Sequence, residues 1–215
     1  MGLGGQDPGV AALSHRSWAL WVLGYPKAAL SDAAHALKDA REVGHAATLM
    51  YALNVTSDTH IYCAKYAAAD ALLNESLIIA DEKGALLWKA LATLRRGWLF
   101  AVTGQAQNAV HMITSGLSAY RSTGSTVIMP MWLSLLARAH GDLGRFDDAW
   151  HCIGEAMTAV ETTKETWFEA EVNRIAGEIA LMSPKPDAAK AEAHFERALA
   201  VARMQQAKSW NYAQR

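Results

Sequence analysis

Cysteine is nearly absent from this chain. Its two residues, Cys63 and Cys152, lie far apart and have no CxxC partner, which argues against a disulfide framework and suits a reducing compartment where thiols behave as small hydrophobes. An excess of either charge is missing as well: 20 basic against 21 acidic residues leave a net charge of −1. No global field therefore exists to hold nucleic acid or an anionic bilayer surface. No window approaches the roughly 18 uninterrupted apolar residues of a membrane span, and the opening MGLGGQDPGV has no basic region ahead of an apolar stretch. Gln6 stands where a myristoylation signal needs Ser or Thr. These absences predict a soluble, cytoplasmic chain, in which the sequons at Asn54 and Asn74 carry no meaning. Missing too are GxxxxGK and GxGxxG, the backbone cradles for phosphate. The eight histidines are scattered, without the CxxC or HxxxH spacing of a zinc site. No catalytic, cofactor-binding or metal-ligating set is assigned, and the chain is expected not to be an enzyme.

What is present is a core-forming composition, 52% hydrophobic and 19% charged, and a repeat. The stretch LGYPKAAL (23–30) returns as LGRFDDAW (143–150). Gly24, Gly104 and Gly144 lie on a grid of 40 residues whose other points are Ala64 and Pro184. Five residues after each point stands an alanine, namely Ala29, Ala69, Ala109, Ala149 and Ala189. A second grid carries Gly44, Gly84 and Gly124 and is broken at Lys164; a third carries Leu37, Leu77, Leu117 and Met157; a fourth holds the small residues Ser17, Ser57, Gly97, Ala137 and Gly177. Several columns on one period indicate a repeat architecture.

Between grid glycines run segments of about 17 residues with apolar positions at helical spacing, such as Leu87, Leu91, Leu94, Trp98 and Ala101. Strand-like alternation is absent. Glycine closes helices and proline opens them, as Pro26 does after Gly24. Pro130 must fall in the first turn of a helix starting near Ile128, because a mid-helix proline costs about 3 kcal/mol. Each repeat is then a helical hairpin, helix A then helix B, which hides its apolar stripe only against its neighbours. The expectation is an all-α, right-handed superhelical solenoid of about five antiparallel hairpins, at about 10–43, 46–83, 85–123, 125–163 and 165–206. Residues 1–9 form an N-terminal segment, and the tail from 207 to 215 opens a truncated further repeat. The fifth hairpin carries a longer loop, SPKPD, that shifts later columns by two residues, as Ala198 and Leu199 show.

The helix-A small column, the turn G-x-[YF]-x-x-A and the B-helix sets Ala29, Ala33, Ala36, then Ala109, Ile113, Gly116, then Ala149, Ile153, Ala156 resemble the tetratricopeptide repeat. The turn aromatics are Tyr25, Tyr66 and Phe146, of which the last two share the family's register. The period of 40 rather than 34 residues, and the loss of the closing proline to Arg41, Asp81, Arg121 and Glu161, imply longer B helices. The segments GQDPGV, LWVLGYPKAAL, LRRGWLFAVTGQAQNAV, LSLLARAHGDLGRFDDAW and AEAHFERALAVARMQQAKS are similar to the repeat region that ends large bacterial signalling proteins. In those proteins an adenylate or guanylate cyclase domain and an ATPase module come first. Neither catalytic segment is present here.

Most chemistry-bearing residues have a structural reading. His60 and His140 share a column that fits packing, and the acidic runs FDDAW and AEAHFER read as solvated first turns opposing the helix dipole. Arg95 and Arg96 beside Trp98 could bind an acidic peptide, or could lay their stems on apolar surface. Trp88, Trp132 and Trp167 suit packing between hairpins. The tetratricopeptide resemblance implies one candidate surface, the concave wall of the A helices. Carried over by position, the residues after the small column are Trp18, Asp58, Trp98, Arg138 and Glu178. They are accompanied by Leu94 and Arg174, in a row that includes Ser14, Asn54 and Ser134. Charges in such a column suit a groove better than a dry core; the alternative is that Trp18 and Trp98 are core and the charges reach solvent. The expected function is a scaffold binding a peptide or another protein domain, without cofactors, as a regulatory module. A small-molecule sensor with its ligand between hairpins is the alternative. The truncated tail is expected to cause weak self-association or fraying after about residue 206.

Overall fold

The structure, a computed structural model, describes residues 5–212. Residues 1–4 of the expected N-terminal segment and 213–215 of the tail lie outside the described residues. Every regular element among them is a helix: α1 Pro8–Val22, α2 Pro26–Val43, α3 Ala46–Tyr62, α4 Tyr66–Glu82, α5 Leu86–Val102, α6 Ala106–Ser122, α7 Met129–Asp142, α8 Phe146–Thr163, α9 Glu169–Met182, α10 Ala188–Met204 and α11 Lys208–Tyr212. The odd-numbered helices up to α9 are the A helices and their successors the B helices. The fold class is the helical-repeat solenoid that the period predicts.

The grid residues are explained by their backbone. Gly24, Ala64, Gly104 and Gly144 have φ of 91°, 55°, 78° and 71°, and Gly44, Gly84, Gly124 and Lys164 have 67°, 60°, 78° and 61°. At the first four A-to-B turns the same pair of bonds closes the helix: Gly24 N–H to Trp21 and Tyr25 N–H to Leu20, Ala64 to Ile61 and Lys65 to His60, Gly104 to Ala101 and Gln105 to Phe100, Gly144 to Gly141 and Arg145 to His140. This is a Schellman closure, which needs one left-handed residue. The period therefore marks a backbone conformation, kept even where Ala64 and Lys164 replace glycine. Side-chain sterics make that conformation costly for both. Ala64→Gly and Lys164→Gly are each expected to raise stability by roughly 0.5–1 kcal/mol, net of the extra chain entropy of glycine; urea unfolding checks this.

Pro184 cannot follow the grid, since its ring locks φ near −65°. The chain instead runs through a longer loop in which Asp187 N–H reaches Ala180 O at 3.1 Å, and Asp187 then caps α10 by accepting from Lys190 N–H. The two-residue shift moves the left-handed position to Gln206, φ 55°. It also corrects the alanine column, for Ala189 is exposed and Ala191 takes the buried place. Pro26 and Pro130 both lie in first turns.

The molecule divides into two compact units, one of the residues up to 99 with 115–125, the other of 100–114 with the residues from 126 onward. In the first, α1 packs on α2, and α3 packs on α1, α2 and α4. Ser17, Ser57, Ala29, Ala33, Ala36 and Ala69 are buried and let the helices approach closely. α3 carries many buried polar groups, several of which bond back to its own carbonyls or across to α1: Thr56 Oγ1 to Ala52 O at 2.7 Å, Ser57 Oγ to Asn54 O at 2.7 Å, and Ser17 Oγ to Thr59 Oγ1 at 2.8 Å. In the second unit α7 packs on α8, α9 on both of them, and α10 on α9. Trp132 is fully buried there, and a Cβ on Gly177 would sit 2.6 Å from the Phe195 ring.

Residues 207–210 lie in the tail where weak self-association or fraying is expected. Ala207 and Trp210 are buried, and the Trp210 ring meets Phe168 edge-on at 5.7 Å and stacks with Trp167 at 6.3 Å. These aromatic contacts, made against the A side of the fifth hairpin, hold the short α11 down. Among the described residues no helix is long and apolar enough to cross a membrane.

Candidate functional site

In the first unit the candidate column leads inward. Asp58 and Arg95 are buried and face each other across α3 and α5 in a two-pronged ion pair, Arg95 Nε to Asp58 Oδ1 at 2.8 Å and Arg95 Nη2 to Oδ2 at 3.0 Å. A third prong reaches Leu91 O at 3.4 Å. Burial pushes the Asp58 carboxyl above its ordinary range, and the guanidinium opposes this. Two expectations are thereby corrected. Asp58 is not open to a groove, because the partner that a buried charge requires is supplied by Arg95; and Arg95 lies in the core rather than along the surface. Leu94 is fully buried as well, its side chain lying against Gly116 of α6, so it cannot touch a ligand.

Trp98 is buried too, and its surroundings form a row the sequence reading did not assemble. Trp21 of α1 stacks on Tyr62 of α3 at 4.1 Å, and Tyr62 meets Trp98 of α5 edge-on at 4.8 Å. Trp21 and Tyr62 are half-buried, as is Trp18 one turn before Trp21. The spacings, 41 and then 36 residues, bracket the period, which is the signal that could have found the row.

In the second unit the predicted residues come together at the surface. Arg138 on α7 donates to Glu178 on α9, one period away, and through Nε to Asp142 Oδ1 at 2.9 Å. Arg174 donates through Nε to Glu171 at 2.9 Å and through Nη1 to Glu178. Arg138 and Glu178 are 37% and 31% exposed, whereas Glu171 is nearly covered. Burial pushes the Glu171 carboxyl up, against the pull of Arg174. Asp142 and Glu171 were not singled out from the sequence; each lies within one helical turn of a residue that was. Beside Arg138 an open depression of about 690 Å³ is lined by the end of α5, the turn into α6 with Gln105, Gln107 and Asn108, and Asp142 and Leu143.

The remaining candidates are structural. His60 Nδ1 lies 2.8 Å from Thr56 O. Asp147 and Asp148 occupy the first turn of α8, but AEAHFER runs through the body of α10, a correction that follows from the displaced helix start after Pro184. Trp132 is core. His140 and His194 are pulled below the ordinary histidine value mainly by burial, with Asp148 opposing this at His140 and Lys190 adding to it at His194. A depressed folded value means that the unfolded chain takes up protons first. The stability involved is complete above about pH 6.5 and is lost as pH falls through the depressed values. Urea midpoints at a series of pH values are expected to fall below about pH 6.5, less steeply in a His140→Gln, His194→Gln variant. Among the described residues no group of three or more His, Cys, Asp or Glu could hold a metal.

Fold and site together define an all-α helical-repeat protein with a charged, partly open A-helix face. No family model matches the chain. Its fold is similar to that in the crystal structure of the apo form of RapI, with a TM-score of 0.65 over 94% of this chain and 87% of that one, at 12% identity. In sequence it is similar to an uncharacterised protein, R02095, of Rhizobium meliloti (strain 1021), 24% identical over 174 residues and 80% of this chain. The chain spans 17% of the length of that curated relative.

Proposed function

We propose that the chain is a non-catalytic interaction module that holds a peptide or a domain of another protein on its A helices. We place it as a regulatory part of a bacterial signalling protein of the cyclase and ATPase type that its sequence resembles. The observation that carries this reading is the Arg138, Glu178, Arg174 cluster. Its charges are locked by one another on two neighbouring A helices yet remain partly open, so a ligand meets them already oriented. The long Rhizobium relative, matched over a small part of its length, suits a module within a larger protein.

Panning a random-peptide display library against the whole chain tests the reading. Selected peptides are expected to bind the unmodified protein and a Lys38→Ala variant of the α2 surface alike, and Arg138→Ala about tenfold or more weakly, the loss of one or two charge-assisted hydrogen bonds. No enriched peptide, or equal binding by all three proteins, overturns it. A small ligand held between hairpins is the second reading, favoured by the depression beside Arg138. It would show as a ligand-induced rise in melting temperature.

A further inference from the structure

The depression beside Arg138 has a chemistry of its own, and the inference drawn from it rests on the peptide-binding reading above. Its volume, about 690 Å³, falls within the range of about 300–1,000 Å³ usual for ligand sites. Arg138 enters it already flanked by two carboxylates, Asp142 and Glu178. Those bonds use Nε and Nη1, and among the described residues Nη2 has no partner. A guanidinium so neutralised gains little from a further anion but can still donate to a neutral carbonyl.

The amides opposite are fixed in complementary directions. Gln107 accepts from Arg145 Nη2 through Oε1 at 3.2 Å, which turns its Nε2 donors outward. Asn108 donates through Nδ2 to Gln105 Oε1 at 3.1 Å, which leaves Oδ1 as an acceptor. Donors on Arg138 and Gln107 thus stand beside an acceptor on Asn108, the same mixture that the C=O and N–H groups of an extended chain present in reverse. Apolar lining is limited to small residues, Val102 and Leu143, too little to anchor a large side chain.

We infer that this depression binds the main chain of an extended peptide segment through hydrogen bonds to Arg138, Gln107 and Asn108, and not through the peptide's charges. The probe is an acetylated, amidated hexapeptide of alternating alanine and serine, titrated into the whole nitrogen-15-labelled chain. The side-chain amide signals of Gln105, Gln107 and Asn108 are expected to shift saturably. Affinity should fall about tenfold in Gln107→Ala, Asn108→Ala, the loss of one or two hydrogen bonds. Both positions are exposed, so the variant keeps its melting temperature. Affinity should change by less than about twofold between about 0.05 and 0.5 M salt, since screening acts on charges. Unmoved amide signals, or a fall of about fivefold or more with salt, overturn the inference. If library-selected peptides bind but leave these three signals unmoved, this inference falls while the interaction module stands; if no peptide binds anywhere, both fall.

Discussion

Asp58→Ala is expected to destabilise the protein by about 3–5 kcal/mol, read as a lowered urea midpoint at unchanged slope. The substitution removes few atoms. Its cost comes from what remains: Arg95, 4% exposed on its side chain, cannot give up its proton and would keep a full charge in the core without the carboxylate that now faces it. A loss of that size is a large share of the roughly 5–15 kcal/mol that holds a domain together. The second half of the cycle separates this cause from simple loss of packing. Arg95→Met also leaves a charge unpaired, that of Asp58, and is expected to be costly by itself. The double variant Asp58→Leu, Arg95→Met replaces the pair by apolar groups of similar bulk and should recover most of the loss, because such exchanges are often neutral or better. Strictly additive single effects would mean that the two groups do not meet in the core.

That pair also shows where the sequence was legible and where it was not. The period could be read because a left-handed turn residue selects glycine, and six of the eight left-handed positions on the two grids are glycines. Proline was equally informative, placing the starts of α2 and α7. Depth was not legible. Trp18, Asp58, Trp98, Arg138 and Glu178 share one column, yet Asp58 and Trp98 are buried, Trp18 is half-buried, and Arg138 and Glu178 are partly open. Position in a repeat fixes which way a side chain points, while its neighbours decide how much water reaches it. For Asp58 the decisive neighbour is Arg95, 37 residues on, a diagonal contact that column reading passes over. For Arg138 it is Glu178, 40 residues on, a lateral pair of opposite charges within one column that reading the column as a groove left undrawn. The misplacement of AEAHFER has a different origin. One proline on a grid point forced a longer loop, and the helix that followed began earlier relative to those residues than the run of acids suggested.

Leu94→Ala is expected to cost about 2–5 kcal/mol, the range for emptying a fully buried leucine site, and to leave peptide binding unchanged, since Leu94 is 0% exposed. What makes the site informative is Gly116. A Cβ there would lie 2.8 Å from Leu94 Cγ, 3.0 Å from Cδ2 and 3.1 Å from the Leu94 backbone nitrogen. Gly116→Ala alone therefore drives a methyl into the leucine, at about 1–3 kcal/mol of overpacking. A gain of up to about 1 kcal/mol from replacing a mid-helix glycine offsets part of it. Remove the leucine branches first and the balance changes sign. The added methyl then enters the cavity, its two nearest neighbours are gone, the Leu94 backbone nitrogen at 3.1 Å is a contact that small shifts can relieve, and the helix gain persists. Leu94→Ala, Gly116→Ala should consequently be more stable than Leu94→Ala by about 1 kcal/mol or more, although Gly116→Ala destabilises the unmodified protein. Opposite signs for one substitution in two backgrounds, measured by urea unfolding, would identify the contact between α5 and α6 as the cause. The same sign in both would show that Leu94 and Gly116 are not packed against each other.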